Sequence, residues 1–407
     1  MNQNHFELLA PAGDMERMQT ALRFGADAVY VGGPMLQLRS GNVGFDMETL
    51  KKATQAAHDA GKKLYVTVNA FANNAEVGAV PDYARALEAL GADAVIAADL
   101  GVIAAVREAT PNLPVHVSTQ ANCINLRAAA VYAELGVKRV VLGREMPLCD
   151  IRAMRDYLSD DVELEAFVHG AMCMAYSGRC MISAYLTGRS ANRGACAQSC
   201  RWKYHLMEET RPGEYFPVEE DEHGTTILSS FDLNCMGFLD ELMDVGVTSF
   251  KIEGRMKSPF YVATVVRAYR RRIDSILAGT ASDAETELLQ RELCAASHRP
   301  YSSGFYFGEL KKHAPDDGVY LQQTRFVAVV KRVLGTRIEI ELRNRIFEGD
   351  LIEILSPDSL GASFVAHGLR DIDGNAVNAA TRPSELYSMD CDAPIFAGDL
   401  LRIRIED

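Results

Sequence analysis

The first 257 residues repeat one local unit, in which a glycine precedes a short run of apolar and β-branched residues. The unit occurs at Gly25, Gly61, Gly91, Gly136 and Gly246, just before the runs AVYV, KLYVTV, AVI, RVVL and SFKI. Glycine readily adopts the positive φ of a position just past the end of a helix. Runs that are apolar throughout are typical of strands buried on both faces of a parallel sheet. The chain is therefore predicted to alternate helices with parallel strands.

Eight such strands are expected, at residues 6–9, 28–31, 63–68, 94–97, 115–118, 139–142, 163–168 and 249–252. The stretches between them have helical periodicity, and Asp14 is suited to cap the first helix. Eight βα units of this length favour an α/β fold of the TIM-type (β/α)8 class, whose active site lies at the carboxyl ends of the strands. An open doubly wound sheet is the alternative. No G-x-G-x-x-G follows the first strand, so dinucleotide binding has no support.

The chain is long enough for two domains. Residues 1–300 are assigned to the barrel, and a cysteine-rich insertion at 170–235 interrupts its seventh unit. Strands are expected in the insertion at 202–208, 215–218 and 225–228, before a helix at 236–244. Residues 301–317 are predicted to be a linker. From 318 to 407 short segments alternate apolar and polar residues, which predicts a small antiparallel β-barrel. Such barrels often bind nucleic acid or dock onto another domain.

Five cysteines lie close together in and just after the insertion, at positions 173, 180, 196, 200 and 235. Thiolates are soft ligands that select zinc, copper(I) or iron–sulfur clusters. Structural zinc sites usually pair cysteines two to four residues apart, and here only Cys196 and Cys200 are that close. The wide, uneven spacing fits an iron–sulfur cluster better. The alternative is that the cysteines are small buried apolar residues.

Polar residues gather where the predicted strands end. His169 follows the seventh strand, and the eighth carries Lys251 and continues to Glu253 and Arg255; we predict His169, Lys251 and Glu253 as catalytic residues. Alternation places Lys251, Glu253 and Arg255 on one side of the strand, so a purely structural ion-pair network is the alternative. Arginines suited to binding carboxylate or phosphate are Arg39, Arg144, Arg189, Arg193 and Arg255.

Charge and missing motifs limit the possible functions. The net charge is −13, so RNA binding would need a local basic face. A predicted helix at 259–277 carries four arginines that form either a solvated face or phosphate contacts. No H-E-x-x-H or G-x-S-x-G motif occurs, and His169 and Cys173 are too close in sequence to resemble a usual nucleophile pair. No signal segment and no run of eighteen apolar residues occurs, so a cytoplasmic location is expected.

Four stretches resemble the collagenase-like peptidase family: ELLAPAGDMERMQTALRFGADAVYVGG, EAFVHGAMCMAYSGRCMISAYLTGRSANRGACAQSCRW, SSFDLNC and FKIEGRMKSP. The likeness covers nearly the whole chain. Within the family, the chain is most similar to the members that form 5-hydroxyuridine in tRNA. The resemblance implies a [4Fe–4S] cluster and oxygen-independent hydroxylation of the wobble uridine, with prephenate as the source of the hydroxyl group.

Carried onto this sequence, the resemblance implies the cluster ligands Cys173, Cys180, Cys196 and Cys235, with Cys200 as a fifth candidate. Prephenate is a dicarboxylate, so the arginines are candidates for binding its carboxylates. Arg193 and Arg255 are the first candidates, and Arg39 and Arg144 come next. The expected partners are thus tRNA and prephenate. The alternatives are hydroxylation of another RNA or of a quinone precursor, a collagenase-like peptidase, and a non-catalytic RNA-binding module.

Overall fold

The repeated unit folds as its residues predict. The computed structural model describes residues 6–38, 44–173, 178–201, 219–221, 224–226, 231–308, 320–358 and 360–405. Strand β1 (Glu7–Pro11) leads to helix α1 (Met15–Arg23), which begins where the side chain of Asp14 accepts a hydrogen bond from the backbone N–H of Arg17 at 2.9 Å. Gly25 then adopts a φ of +106° and turns the chain into β2 (Ala28–Gly32).

The unit continues up to the insertion as α2 (Met47–Asp59), β3 (Lys63–Val68), α3 (Asn74–Val77), α4 (Val80–Ala89), β4 (Ala94–Ala97), α5 (Leu100–Ala109), β5 (Val115–Val117), α6 (Leu126–Glu134), β6 (Arg139–Val141), α7 (Leu148–Tyr157) and β7 (Glu163–Ala171). The insertion contains α8 (Ile182–Thr187) and the hairpin β8 (Glu219–Asp221) with β9 (Gly224–Thr226). The chain then forms β10 (Asp232–Asn234), α9 (Leu239–Asp244), β11 (Ser249–Ile252), α10 (Pro259–Leu277), α11 (Asp283–Leu293) and β12 (Tyr301–Ser302).

Eight parallel strands close into a barrel. Strands β1 to β7 pair in sequence order, and β11 pairs with both β7 and β1. This confirms the predicted TIM-type fold. Strand β10 pairs antiparallel with the end of β7, and β12 pairs with β10, so residues 301–302 of the predicted linker extend the barrel sheet. Of the strands expected in the insertion, those at 202–208 and 215–218 lie outside the described residues.

The second domain is an antiparallel sheet that nearly closes on itself, as predicted. Its strands are β13 (Thr324–Leu334), β14 (Arg337–Leu342), β15 (Ile346–Phe347), β16 (Leu351–Leu355), β17 (Ser363–Val365), β18 (His367–Arg370), β19 (Ala379–Ala380), β20 (Leu386–Asp390) and β21 (Leu400–Arg404). Seven of them form one sheet in the order β17-β16-β21-β13-β14-β20-β18. Alternation along β14 buries Ile338, Ile340 and Leu342, which builds a core separate from that of the barrel.

Helix α10 joins the two domains. Arg267 is buried, ion-pairs with Glu292 of α11 and donates to the carbonyl oxygen of Ser356 at 3.0 Å. Glu292 in turn pairs with Arg402 of β21 at 2.9 Å. Two of the four arginines of this helix, Arg267 and Arg272, are therefore buried structural groups and not a solvated face. No helix in the described ranges is long and apolar enough to cross a membrane.

Candidate active site at the barrel mouth

The carboxyl ends of β2, β3 and β11 meet around the guanidinium of Arg255. This side chain is 5% exposed and donates to Thr67 Oγ1 at 3.2 Å and to Gln37 Oε1 at 3.3 Å. A Cβ at Gly32 would lie 2.6 Å from Arg255 Nη1 and would overlap Gln37, so the glycine at the end of β2 makes room for both groups. The mouth of the barrel thus contains a buried cation, as the position of Arg255 after the eighth strand predicts.

Arg144 and Glu253 face each other across the same mouth. Arg144 Nη2 donates to Glu253 Oε2 at 2.9 Å, and Nη1 donates to the carbonyl oxygen of Ala171 at 2.6 Å. The guanidinium carbon also lies 3.9 Å from the centre of the Phe167 ring. The contact ties the ends of β6, β7 and β11 together. Because Glu253 neutralises Arg144, this arginine is weakened as an anion site.

Two described parts of the insertion contact loops at the mouth. A Cβ at Gly178 would lie 2.2 Å from the carbonyl oxygen of Gln120, so this part of the insertion packs against the end of β5. Arg193 reaches the loop after β3, where it pairs with Glu76 at 2.7 Å and donates to the carbonyl oxygen of Phe71 at 2.8 Å. Arg193 thus holds the insertion to the loop after β3. Arg39, another predicted anion-binding residue, lies outside the described residues.

Lys251 points into the barrel, below the mouth. Its Nζ donates to Glu165 Oε1 at 2.6 Å and lies 4.6 Å from the centre of the Tyr30 ring. Burial lowers the pKa of Lys251, although the Glu165 carboxylate opposes this shift. Within the described structure, each of the three charged residues of this segment has a partner elsewhere in the chain. Lys251, Glu253 and Arg255 each contact groups on other strands, and only the last two reach the mouth.

His169 is buried outside the barrel wall. Its ring lies against Tyr261 and Tyr269 of α10 and Tyr301 of β12, at centroid distances of 6.0, 5.6 and 5.3 Å. Its Nδ1 is 3.4 Å from Tyr269 Oη. Burial, with smaller effects of the His298 and Lys257 charges, lowers the pKa of His169 to about 3. The described contacts of His169 are those of a neutral packed ring, and its catalytic role stays a prediction.

The five predicted cluster cysteines lie beyond the end of β7, within the insertion and just after β10. Cys173 is exposed at the end of β7, Cys180, Cys196 and Cys200 are partly buried in the insertion, and Cys235 is fully buried with its sulfur 4.0 Å from the Phe167 carbonyl oxygen. Burial raises the pKa of Cys235, which favours the thiol. Within the part of the chain that the structure describes, no three His, Cys, Asp or Glu side chains could hold one metal ion. The ligand set stays a prediction.

Sequence reasoning missed two partners of the mouth. Thr67 was recognisable as a hydroxyl within an otherwise apolar strand, but Gln37 carries no signal because its loop follows no periodic pattern. Asn69, just after β3, and Ser118, just after β5, are brought together by a hydrogen bond of 3.1 Å. Asn69 Oδ1 is buried without a hydrogen-bond partner within the described structure, so the mouth retains an unused polar atom.

Comparison with known proteins identifies the family. The sequence profile described as Peptidase family U32 matches residues 13–315, and that of the Peptidase family U32 C-terminal domain matches residues 322–402. The tRNA hydroxylation protein P1 of Bacillus subtilis is 36% identical over 97% of this chain and 94% of its own length. The tRNA hydroxylation protein P of Escherichia coli is 34% identical, over 94% and 92%. A collagenase of Porphyromonas gingivalis is 34% identical, over 76% and 75%. This chain belongs to peptidase family U32.

Proposed function

We propose that this chain is an RNA-modifying enzyme that hydroxylates tRNA. The observation that carries the proposal is the extent of the likeness to two tRNA hydroxylation proteins, which spans both domains. The likeness to the collagenase covers only about three quarters of the chain. The barrel mouth is a suitable place for the chemistry, because it combines a buried cation, an ion pair and unused polar atoms at the carboxyl ends of the strands.

The finer proposal is that the product is 5-hydroxyuridine at the wobble position and that prephenate supplies the hydroxyl group. Prephenate carries two carboxylates, and Arg255 is a buried guanidinium that reaches the mouth. A guanidinium offers a planar fork of donors that matches a carboxylate. Arg255 is therefore assigned to hold one carboxylate of the donor, and Thr67 and Gln37 orient the fork.

The test is the nucleoside composition of tRNA in a strain that lacks the gene. Mass spectrometry is expected to find 5-hydroxyuridine and its derivatives lost, and restored by the unsubstituted gene but not by Arg255→Gln. Lys138→Gln is the matched control, because Lys138 is exposed at the amino end of β6, opposite the mouth. An unchanged nucleoside profile in the deletion strain would refute tRNA hydroxylation. Full rescue by Arg255→Gln would refute the assignment of Arg255 alone.

We further propose a [4Fe–4S] cluster held by Cys173, Cys180, Cys196 and Cys235. Its support is the number, the spacing and the ligand chemistry of the cysteines. Protein purified without oxygen is expected to contain about four irons and four sulfides per chain. Serine at each of the four positions should lower both contents, and Cys149→Ser, which alters an exposed cysteine of α7, should not. Colourless protein with stoichiometric zinc would refute the cluster.

A peptidase is the second candidate, favoured by the likeness to a collagenase. The contacts of His169 weigh against a Cys173–His169 nucleophile pair, because tyrosines surround the imidazole. The assay is gelatin cleavage by the pure protein and by Cys173→Ser. Cleavage that is lost in the variant would favour the peptidase over the hydroxylase.

A further inference from the structure

A cleft of about 230 Å³ lies between the barrel and the second domain. Its walls come from the start of α10 and the preceding loop on one side, and from β13 with the segment after β14 on the other. Phe260 and Phe326 stack across the domain boundary with ring centres 5.4 Å apart. Thr324 Oγ1 donates to the carbonyl oxygen of Ala295 at 2.7 Å. These contacts fix the two walls relative to each other, so the cleft is a preformed feature.

The cleft is basic and aromatic. Lys257 and Arg325 line it, together with Tyr261, and no carboxylate residue is among its described lining residues. At its edge Lys257 Nζ lies 4.6 Å from the centre of the Tyr320 ring, and the Arg299 guanidinium carbon lies 5.0 Å from the same ring. Tyr320 is 39% exposed. Cations beside an accessible aromatic ring are the usual features of a site for single-stranded nucleic acid.

Neither lining cation pairs with a carboxylate within the described structure. Lys257 Nζ donates to the Ser297 carbonyl oxygen at 3.4 Å, a long contact, and among the described residues no carboxylate pairs with it. Arg325 Nε has no hydrogen-bond partner within the described structure, although the atom is shielded from solvent. By contrast, the arginines of the neighbouring domain junction, Arg267 and Arg402, are neutralised by Glu292. In a chain with a net charge of −13, such a local basic surface is what RNA binding requires.

The loop that forms one wall of the cleft also reaches the barrel mouth. Arg255 contacts Thr67 inside the mouth, and Lys257, two residues later, points into the cleft. Two residues span only about 7 Å of chain. We propose that the cleft holds the sugar-phosphate backbone of the RNA strand next to the nucleotide that enters the mouth, with Lys257 and Arg325 on phosphates and Tyr320 stacked on a base. This inference rests on the proposed function and extends it to how the substrate is held.

The experiment measures tRNA binding to the full chain across a series of salt concentrations. Each phosphate contact contributes a slope of about 0.7 to 0.9 in log affinity against log salt. The variant Lys257→Gln/Arg325→Gln is therefore expected to show a slope shallower by about 1.5 and roughly tenfold weaker binding at physiological salt. Lys257→Arg keeps the charge and should bind as the unsubstituted chain does. The matched control Lys138→Gln/Arg370→Gln removes two exposed cations elsewhere and should retain the full slope.

The outcomes separate this inference from the proposed function. If the unsubstituted chain binds tRNA and the cleft variant, folded by circular dichroism, keeps the full slope, the cleft proposal is wrong and tRNA hydroxylation stands. An equal decrease in salt slope and affinity in the control variant would also overturn the proposal, because the effect would then reflect the total charge of the chain and not the cleft. Displacement of tRNA by millimolar inorganic phosphate alone would make the cleft a small-anion site instead. Absence of any tRNA binding by the unsubstituted chain would refute both proposals.

Discussion

The base of the barrel contains a buried charge network whose disruption has a calculable cost. Arg139 is 3% exposed and its Nη1 donates to Glu7 Oε1 at 2.5 Å and to Glu165 Oε2 at 3.0 Å. The hydroxyl groups of Tyr65 and Ser249 donate to Glu7 at 2.6 and 3.0 Å. Burial alone would raise the pKa of Glu7, but the Arg139 charge and hydrogen bond outweigh it, and the pKa is lowered. Glu7 is thus ionised in the folded protein because Arg139 is present.

We expect Arg139→Met to lower the free energy of unfolding by about 3 kcal/mol at neutral pH. Removing one partner of a buried ion pair typically costs about 3 to 5 kcal/mol. The lower end applies here, because Glu165 keeps Lys251 at 2.6 Å and Glu7 keeps its two hydroxyl donors. Methionine fills a similar volume, so the loss is mainly electrostatic.

The loss should depend on pH in a defined direction. Without Arg139, burial raises the pKa of Glu7 above its unfolded value, so the folded variant takes up a proton more readily than the unfolded chain does. The free energy of unfolding of the variant therefore falls as the pH rises from the unfolded-state pKa of Glu7 to the raised pKa in the folded variant. In the unsubstituted protein the pKa of Glu7 is lowered, so the dependence is opposite. The stability that ionised Glu7 contributes there is lost as the pH falls through this lowered pKa. The difference in free energy of unfolding between the variant and the unsubstituted protein should therefore be smaller at pH 5 than at pH 7.

Urea unfolding followed by helical circular dichroism measures the barrel, because all the described helices lie in that domain. Arg332→Met is the matched control, since Arg332 pairs with Glu339 on an exposed face of the second domain and should have little effect. A decrease of less than about 1 kcal/mol in the free energy of unfolding of Arg139→Met would refute the claim that this network stabilises the barrel. An equal loss at pH 5 and pH 7 would refute its electrostatic origin.

Two further substitutions test the mouth and the domain junction. Gly170 has a φ of +106°, and a Cβ there would lie 2.7 Å from the Glu253 carbonyl oxygen, so Gly170→Ala should destabilise the barrel by about 1 to 3 kcal/mol in the same urea assay. Glu292→Gln leaves Arg267 without its carboxylate and weakens the pairing of Arg402, so the second domain should become easier to cleave from the barrel by limited proteolysis. An unchanged free energy of unfolding for Gly170→Ala, or an unchanged cleavage rate for Glu292→Gln, would contradict these expectations.

The fold was predictable because its signals are local. Each glycine past a helix and each apolar run reports only on its own few residues, and the parallel pairing follows once eight such runs alternate with helices. The carboxyl ends of parallel strands lie at one face of the barrel, so residues that follow these runs reach the mouth. Arg144, Glu253 and Arg255 were therefore predictable from the sequence. The alternating pattern after residue 318 predicted the second domain in the same way.

His169 shows where local reasoning ends. In an unbroken strand it would share the side of Glu165 and Phe167, facing into the barrel. The pairing of β7 with β11 shifts register between Lys251 and Ile252, and the described contacts of His169 are with α10 and β12 outside the wall. A bulge depends on how two strands distant in sequence fit each other.

The sequence by itself determined the alternation of helices and strands, the two domains and the polar strand ends, because periodicity and glycine positions are local properties. Only the tertiary structure decided which charges meet. Lys251 pairs with Glu165 and Arg144 with Glu253, across 86 and 109 residues of chain. The arginines of α10 join the domains through Glu292, and Lys257 enters the cleft between them. Burial makes an unpaired charge costly, so partners are selected by proximity in the folded chain, which no local pattern records.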